Sequence, residues 1–332
     1  MKIIMATAPA RAALAGNPSD GYFGKTLSLA VHNFEARVVV YEWPQLEIIP
    51  PPSEGRVFAS LDALAEDVGR NGYYGAQRLV KASLKKFHQY CQENGIPLPQ
   101  QNFSIRYETN VPRGVGLAGS SAIITATFRA LMQFFAVPIP QEVLPNWILA
   151  VEREELRIEG GLQDRVAQVY AGLTLMDFDK AHIEQHGFGD YRALDPHLLP
   201  PLYLAYRVAL AEPSDIVHND LRARYNAGDL AVLEAMQELR VITDRASQAL
   251  LSQNNDELGQ AINDNFEVRR RIMNIAPGHQ KMVDAARACG ASANFAGSGG
   301  AIVGTLGNAS FDELRHAFAN IECQVIMPKV QK

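Results

Sequence analysis

The sequence predicts an α+β protein with two domains. Its 332 residues correspond to about two domains, or to one large two-layered unit, at roughly 150 residues per domain. Runs with strand-like alternation and segments with helical spacing occur in both halves of the chain. A looser stretch with several His and Pro residues separates the halves, and we place the domain boundary there, giving residues 1–195 and 196–332.

The composition is that of an ordinary globular protein, and it excludes several classes of function. Lys and Arg number 31 against 36 Asp and Glu, which gives a net charge of −5. Nucleic acid and anionic membranes are not expected partners, because phosphate-backbone binding needs clustered cations. No apolar run approaches the ~20 residues that span a bilayer. Three cysteines without CxxC spacing favour a reduced, cytoplasmic protein.

The first domain is predicted to open with β-structure and to continue with helices and strands. The run that begins at Lys2 is interpreted as a strand rather than a leader, because Arg11 interrupts it before an apolar leader core forms. Strands are predicted over Lys2–Thr7, Ala36–Tyr41, Asn102–Asn110 and Leu173–Phe178, and helices over Tyr73–Asn94, Ser120–Phe135, Trp147–Leu156 and Asp164–Tyr170.

The second domain is predicted to begin with a strand and two long helical segments, followed by shorter strands. The capping box Ser310–Glu313 predicts a further helix start. Strands are predicted over Leu202–Leu210, Ala291–Ala296, Ala301–Leu306 and Gln324–Met327, and helical patterns over Ile216–Met273 and Gly278–Cys289.

The strongest local signal for chemistry is the segment Pro112–Ile123, PRGVGLAGSSAI. Three glycines let the backbone approach a ligand, and the following helix offers free N–H groups and the positive end of its dipole to an anion. Ser120 and Ser121 can cap the helix or turn a hydroxyl toward phosphate or Mg²⁺. This pattern favours phosphate binding over a merely capped helix.

A second glycine cluster, FAGSGGAIVG, covers Phe295–Gly304 between two strand-like runs. A tight hairpin explains it on its own. If it faces the first glycine loop, however, Gly297, Gly299 and Gly300 would admit a phosphoryl group without a side-chain clash. The sequence leaves that condition open.

Three further features have competing interpretations. Ser19–Thr26 resembles a Walker A loop, but such a loop needs a helix directly after its Lys-Thr, and Leu27–Tyr41 is strand-like. Asp164 follows two glycines at a helix start; it can serve as a proton acceptor or as a favourable acid at that position. Glu152 is one of several acids on a helix face, and the eight histidines show no HExxH pattern.

Taken together, these motifs resemble those of the GHMP small-molecule kinases. The segment ARAALAG with a following Asp, the PRGVGLAGSSA loop and the GSGG turn occur in the family's order. More narrowly, GNPSDGYFGKTLSL, NGYYGAQRLV, GLQDRVAQVYAGL and FAGSGGAIV look like glucuronokinases. The resemblance runs from about Arg11 to Gly304. It implies a two-domain GHMP kinase fold, with an N-terminal domain like ribosomal protein S5 and a C-terminal ferredoxin-like domain.

The resemblance also implies roles for individual residues. Asp164 would be the catalytic base and Arg11 would hold it and the transferring phosphoryl group. Glu152 and Ser121 would bind Mg²⁺. The residues expected to bind ATP lie in and around the first glycine loop: Pro112, Gly114, Gly116, Leu117, Ala118, Gly119, Ser120, Ser121 and Ala122.

For the sugar, the resemblance implies a set of residues from three segments: Asn17, Asp20, Lys25, Arg165, Gly297, Ser298, Gly299 and Gly300. In galactokinase-like members the position of Asn17 holds an acid that meets the sugar's C6 hydroxyl. A neutral Asn there, together with Lys25 or one of the three arginines 269–271, would favour a uronic acid. The competing interpretation of the arginines is the basic face of a helix.

The expected activity is phosphorylation of D-glucuronate at its anomeric hydroxyl by ATP with Mg²⁺, in a monomer or homodimer. Two alternatives remain open within the fold: a kinase for a neutral hexose or heptose derivative, and a regulator that binds sugar and ATP without catalysis. A P-loop NTPase is the third, and it depends on whether a helix begins at Lys25.

Overall fold

Two β-sheets organise the protein, each covered by helices. The computed structural model describes residues 2–51, 60, 75–207 and 221–331. The first sheet is six-stranded, with the order β3-β4-β2-β5-β6 and β1 paired to β2. Its strands are β1 (Ile3–Ala15), β2 (Lys25–Glu42), β3 (Glu47–Ile49), β4 (Phe103–Thr109), β5 (Leu173–Asp177) and β6 (Asp190–Leu194).

The helices of the first half pack mainly against this sheet through two apolar clusters, the smaller of which includes Ile183 of the last of these helices. They are α1 (Gln77–Glu93), α2 (Gly119–Phe135), α3 (Leu144–Ala150), α4 (Gln163–Tyr170) and α5 (Lys180–His186). A π-helical turn, Val151–Glu155, extends α3. All helices predicted for this half are confirmed within the described residues; the predicted start of the first helix, at residues 73 and 74, lies outside them.

The second sheet has four strands in the order β10-β7-β9-β8. Its strands are β7 (Leu202–Tyr206), β8 (Asn294–Phe295), β9 (Ala301–Thr305) and β10 (Gln324–Ile326), and the helices around it are α6 (Leu230–Leu251), α7 (Asn255–Ile272), α8 (Pro277–Ala288) and α9 (Phe311–Ala319). The predicted capping box at the start of α9 is confirmed. Residues 208–210 and 216–220 of the predicted elements lie outside the described part.

The P-loop alternative is wrong, because Lys25 begins β2 and no helix follows it. The mixed helices and strands confirm the predicted α+β class. None of the helices in the described part of the chain has both the length and the apolar character needed to cross a bilayer.

The stretch before residue 196 is more ordered than the sequence suggests. It forms α5, which the Asp179 side chain caps by accepting a hydrogen bond from His182 N–H at 3.0 Å, and the edge strand β6. All five residues of β6 are exposed or half-buried. A short strand without a buried face gives little of the apolar periodicity from which strands are predicted.

Candidate active site

The two glycine segments lie in direct contact. A Cβ at Gly297 would lie 2.0 Å from the carbonyl oxygen of Gly116, and a Cβ at Gly116 would lie 2.8 Å from the backbone nitrogen of Ser298. Both distances are shorter than a side chain tolerates, so this approach requires glycine at each position. The first glycine loop (residues 112–119) and the second glycine turn (residues 297–300) therefore meet. This fulfils the condition that the sequence left open.

Arg11 connects both segments to Asp164. It lies in β1 between two register shifts of the β1–β2 pairing, irregularities of a kind that re-aim side chains near active sites. Its backbone N–H donates to Leu117 O at 3.2 Å. Its buried guanidinium donates to the carbonyl of Ala296 and forms an ion pair with the Asp164 carboxylate.

The first glycine loop reaches its helix through alternate left-handed residues. Gly114, Gly116 and Ala118 have φ angles of +69°, +70° and +62°. The carbonyl of Ala118 accepts hydrogen bonds from the Ser121 hydroxyl at 3.1 Å and from Gln168 Nε2 at 2.8 Å. The loop is thus held in place, and the first N–H groups of α2 lack partners within the helix, as at any helix start.

Glu152 is turned inward by the π-helical turn and is 1% exposed. One of its carboxylate oxygens accepts from the Ser120 hydroxyl at 2.9 Å, and the other forms an ion pair with Arg165. Extra-residue turns of this kind are frequent at functional sites. The structure places Ser120 beside Glu152, whereas the hydroxyl of Ser121, the serine predicted to bind Mg²⁺, donates to Ala118 O.

Asp164 lies at the start of α4 with 23% of its side chain exposed. Arg11 contacts one carboxylate oxygen, and Arg165 Nη1 lies 3.5 Å from the other. The residue thus combines a fixed orientation with access to a bound hydroxyl. That combination suits a proton acceptor.

Asp20 lies beside Asp164 and is half-buried. Its Oδ2 accepts the Gln163 N–H at 3.2 Å, and a Cβ at Gly161 would collide with it at 1.8 Å. Burial, and then the nearby charge of Asp164, raise the pKa of Asp20 to about 6. At pH 7 most molecules therefore carry an ionised Asp20, which can accept hydrogen bonds from hydroxyl groups.

Comparisons with known proteins identify the family of this chain. Residues 78–172 match the family described as "GHMP kinases N terminal domain". "Glucuronokinase 1" of Arabidopsis thaliana is 44% identical over 302 residues, covering 89% of this chain and 82% of that protein. The chain belongs to the GHMP kinase family.

Two more distant proteins place this GHMP kinase among its relatives. A D-glycero-alpha-D-manno-heptose 7-phosphate kinase of Campylobacter jejuni is 25% identical, covering 83% of this chain and 79% of that protein. The structure of a Lactococcus lactis galactokinase complexed with galactose has a TM-score of 0.75 at 13% identity, covering 99% of this chain and 94% of that one. At that identity, the second similarity shows the shared fold alone.

Asn17 of the GHMP kinase, which the sequence predicts to contact the sugar, is hydrogen-bonded to the second glycine turn. It is 3% exposed, and its Nδ2 donates to the carbonyls of Phe295 and Gly297 at 3.2 and 3.4 Å. Its Oδ1 lies 3.4 and 3.3 Å from the amide nitrogens of Asn265 and Asn294. Its side-chain amide is thus hydrogen-bonded inside the protein and supports the second glycine turn. A contact between Asn17 and the sugar stays a prediction.

Lys25 and Arg165, which are also predicted to contact the substrate, both have ion-pair partners within the protein. The Lys25 ammonium lies 2.9 Å from Asp244 and 3.2 Å from Asp177, in a separate cleft. Its charge is neutralised there. Arg165 is 4% exposed and is held by Glu152 and by the Gly161 carbonyl at 2.7 Å, so it orients the acids of the site. Its contact with the substrate stays a prediction.

The remaining predicted residues divide into backbone and side-chain positions. Leu117 and Ala122 are buried in apolar clusters, so only their backbone atoms can face a nucleotide. Ser298 is half-buried at the apex of the second glycine turn. Pro112 begins the first glycine loop and is also half-buried. Their roles in binding stay predictions.

Sequence reasoning missed residues that support the second glycine turn. His279 is 3% exposed, and its Nε2 accepts the Gly300 N–H at 3.1 Å. Asn265 Oδ1 accepts the Gly16 N–H at 2.5 Å. Arg269 was only one of three adjacent arginines in the sequence, and the structure buries it alone. No local pattern marks His279 or Asn265, because both act through residues distant in the chain.

Proposed function

We propose that this GHMP kinase phosphorylates D-glucuronate at the anomeric hydroxyl, with ATP as phosphoryl donor, to give D-glucuronate 1-phosphate and ADP. The observation that carries the proposal is the contact of Arg11 with both Asp164 and the two glycine segments. It sets a proton acceptor beside two backbone segments suited to phosphate. The 44% identity to a glucuronokinase supports the choice of acceptor.

In the proposed reaction, Asp164 accepts the proton of the anomeric hydroxyl while the sugar oxygen attacks the γ-phosphorus of ATP. The bond from that phosphorus to the ADP oxygen breaks, and ADP leaves. Phosphoryl transfer asks the protein mainly for positioning and charge stabilisation. Arg11 orients Asp164, the first glycine loop and the start of α2 bind phosphates, and Asp20 accepts hydrogen bonds from sugar hydroxyls.

The oxygen atoms of Ser120 and Glu152 fit Mg²⁺. When bound, this ion would neutralise negative charge on the phosphates during transfer. Ser120 Oγ and Glu152 Oε1 are 2.9 Å apart, and Mg²⁺ prefers one or two protein oxygens together with substrate phosphates. Because the structure places these two oxygens together, we assign Ser120 and Glu152 to the metal.

Replacing Ser120 with alanine is expected to raise the Mg²⁺ concentration needed for half-maximal activity by about tenfold, the lower end of effects at metal sites. Ser121→Ala is the matched control, because its hydroxyl bonds only to Ala118 O among the described residues. The measurement is initial rate against Mg²⁺ at fixed ATP. An equal shift in both variants would contradict the assignment.

The proposed acceptor is tested by ADP release with glucuronate, galactose, mannose and a heptose phosphate. We expect kcat/KM for glucuronate to exceed that for each other sugar by at least roughly 100-fold, the discrimination available to a site built around a polar group. A higher value for the heptose phosphate would favour the activity of the Campylobacter relative. Glucuronate binding without ADP release would favour a non-catalytic regulator.

We also propose a domain boundary at 195/196, a cytoplasmic location and a monomeric or homodimeric state. The division of strands supports the boundary, since β1–β6 lie in one sheet and β7–β10 in the other. The three cysteines are free thiols, which suits a reducing compartment. The oligomeric state stays a prediction.

A further inference from the structure

Arg269 is a buried cation without an anionic partner among the described residues. Its side chain lies at 1% exposure on α7, with its guanidinium 4.9 Å from the centre of the Phe295 ring. Nη1 donates to the Gly297 carbonyl at 2.9 Å, and the buried Nε has no hydrogen-bond partner. Arg11 and Arg165, by contrast, each form an ion pair, with Asp164 and Glu152 respectively.

A buried unpaired charge is unfavourable by several kcal/mol. Burial, and then the charge of Arg11, lower the pKa of Arg269 to about 9, so it is still protonated at pH 7. A guanidinium held in this way is suited to an anion supplied by a ligand, and its planar fork matches a carboxylate.

The position of Arg269 indicates the acceptor side of the site. It shares the Gly297 carbonyl with Asn17, and a Cβ at Gly297 would lie 3.0 Å from Arg11 Nη1. The charges that act on Arg269 are those of Arg11 and Asp20, the latter being the acid that we assign to the sugar hydroxyls. Gly297 thus lies between Arg269 and Arg11, the residue that orients Asp164.

The neighbouring arginines do not compete for this role. Arg270 is 57% exposed and pairs with Glu267 at 2.6 Å, and Arg271 is 58% exposed and pairs with Glu238. Both have the solvated ion pairs of an ordinary helix surface, which contribute little to stability. The run of three arginines therefore contains one buried and two surface residues.

We propose that Arg269 binds the carboxylate of a uronic acid acceptor and makes the kinase select it over the neutral sugar with the same ring. This inference rests on the proposed function, since it names the residue that recognises the carboxylate of the acceptor sugar. A phosphate group of the nucleotide could bind a guanidinium in the same way, and the experiment distinguishes the sugar carboxylate from the nucleotide phosphate.

The test compares Arg269→Gln with wild type on D-glucuronate and D-glucose, with Arg270→Gln as the matched control. We expect Arg269→Gln to lower kcat/KM for glucuronate by about 100-fold, the loss of a charge-assisted contact, mostly through KM. The KM for ATP should stay within about twofold, and activity on glucose should fall far less than activity on glucuronate, because glutamine can still donate to the Gly297 carbonyl. Arg269→Lys should retain part of the preference. Arg270→Gln should behave as wild type.

Two outcomes would overturn the proposal. Equal losses on glucuronate and glucose would mean that Arg269 only supports the second glycine turn, and a raised KM for ATP alone would assign it to phosphate. If Arg269→Gln does not fold, the proposal is tested by calorimetry, which measures the binding of glucuronate and glucose to wild type and to Arg269→Lys. An unchanged preference for glucuronate in Arg269→Lys would contradict the proposal. If wild type binds glucuronate but does not phosphorylate it, the proposed function fails while the same binding comparison still tests Arg269.

Discussion

Replacing Asp164 with asparagine is expected to lower kcat by roughly 10²–10⁴-fold, the usual contribution of a positioned general base. Asparagine keeps the shape of the side chain but cannot take the hydroxyl proton. KM for ATP should change little, because the first glycine loop and the start of α2 are unaltered. The measurement is steady-state ADP release with saturating glucuronate.

The variant is expected to fold, which separates a catalytic loss from a structural one. Arg11 keeps its backbone bond to Leu117 and its side-chain bond to Ala296 when its carboxylate partner becomes an amide. Asp244→Asn is the matched control, because Asp244 also pairs with a cation, Lys25, but lies outside the site. Undiminished kcat in Asp164→Asn would remove Asp164 from its proposed role.

Local sequence patterns predicted the elements that position the site, because their physical causes are local. The Val-rich alternation after Lys25 predicted a strand, and β2 occupies Lys25–Glu42. The glycine loop followed by helical spacing predicted the start of α2, and that helix begins at Gly119. In each case, propensity and hydrophobic period favoured the same structure.

The side-chain positions that the sequence could not predict depend on contacts distant in the sequence. Which of two adjacent serines faces Glu152 depends on the phase of α2 and on a π-helical turn 31 residues further along. The amide of Asn17 is hydrogen-bonded to Asn265, Asn294 and the second glycine turn, and no local pattern indicated these contacts. Arg269 differs from its two neighbours in being buried. That difference depends on how α7 packs, so the sequence alone does not show it.

Replacing Gly297 with alanine is expected to force the two glycine segments apart. The added Cβ would lie 2.0 Å from the Gly116 carbonyl oxygen and 2.9 Å from its carbon, so backbone atoms must move. A displacement of about 1 Å at a reacting site can cost 10²-fold in rate, and overpacking of this kind typically lowers the free energy of unfolding by about 1–3 kcal/mol. Steady-state kinetics and urea unfolding measure the two effects.

Gly172→Ala is the control, because its Cβ would be in ordinary contact, 3.4 Å from Gln331 O. The kinetic pattern also distinguishes this prediction from that for Arg269. Since Gly297 lies between the first glycine loop and Arg11, its substitution should reduce turnover of charged and neutral sugars alike, whereas loss of the Arg269 charge should reduce turnover of the acid far more than that of the neutral sugar. A Gly297→Ala enzyme with wild-type rate and stability would contradict the contact between the two segments, and with it the orientation of Asp164 through Arg11.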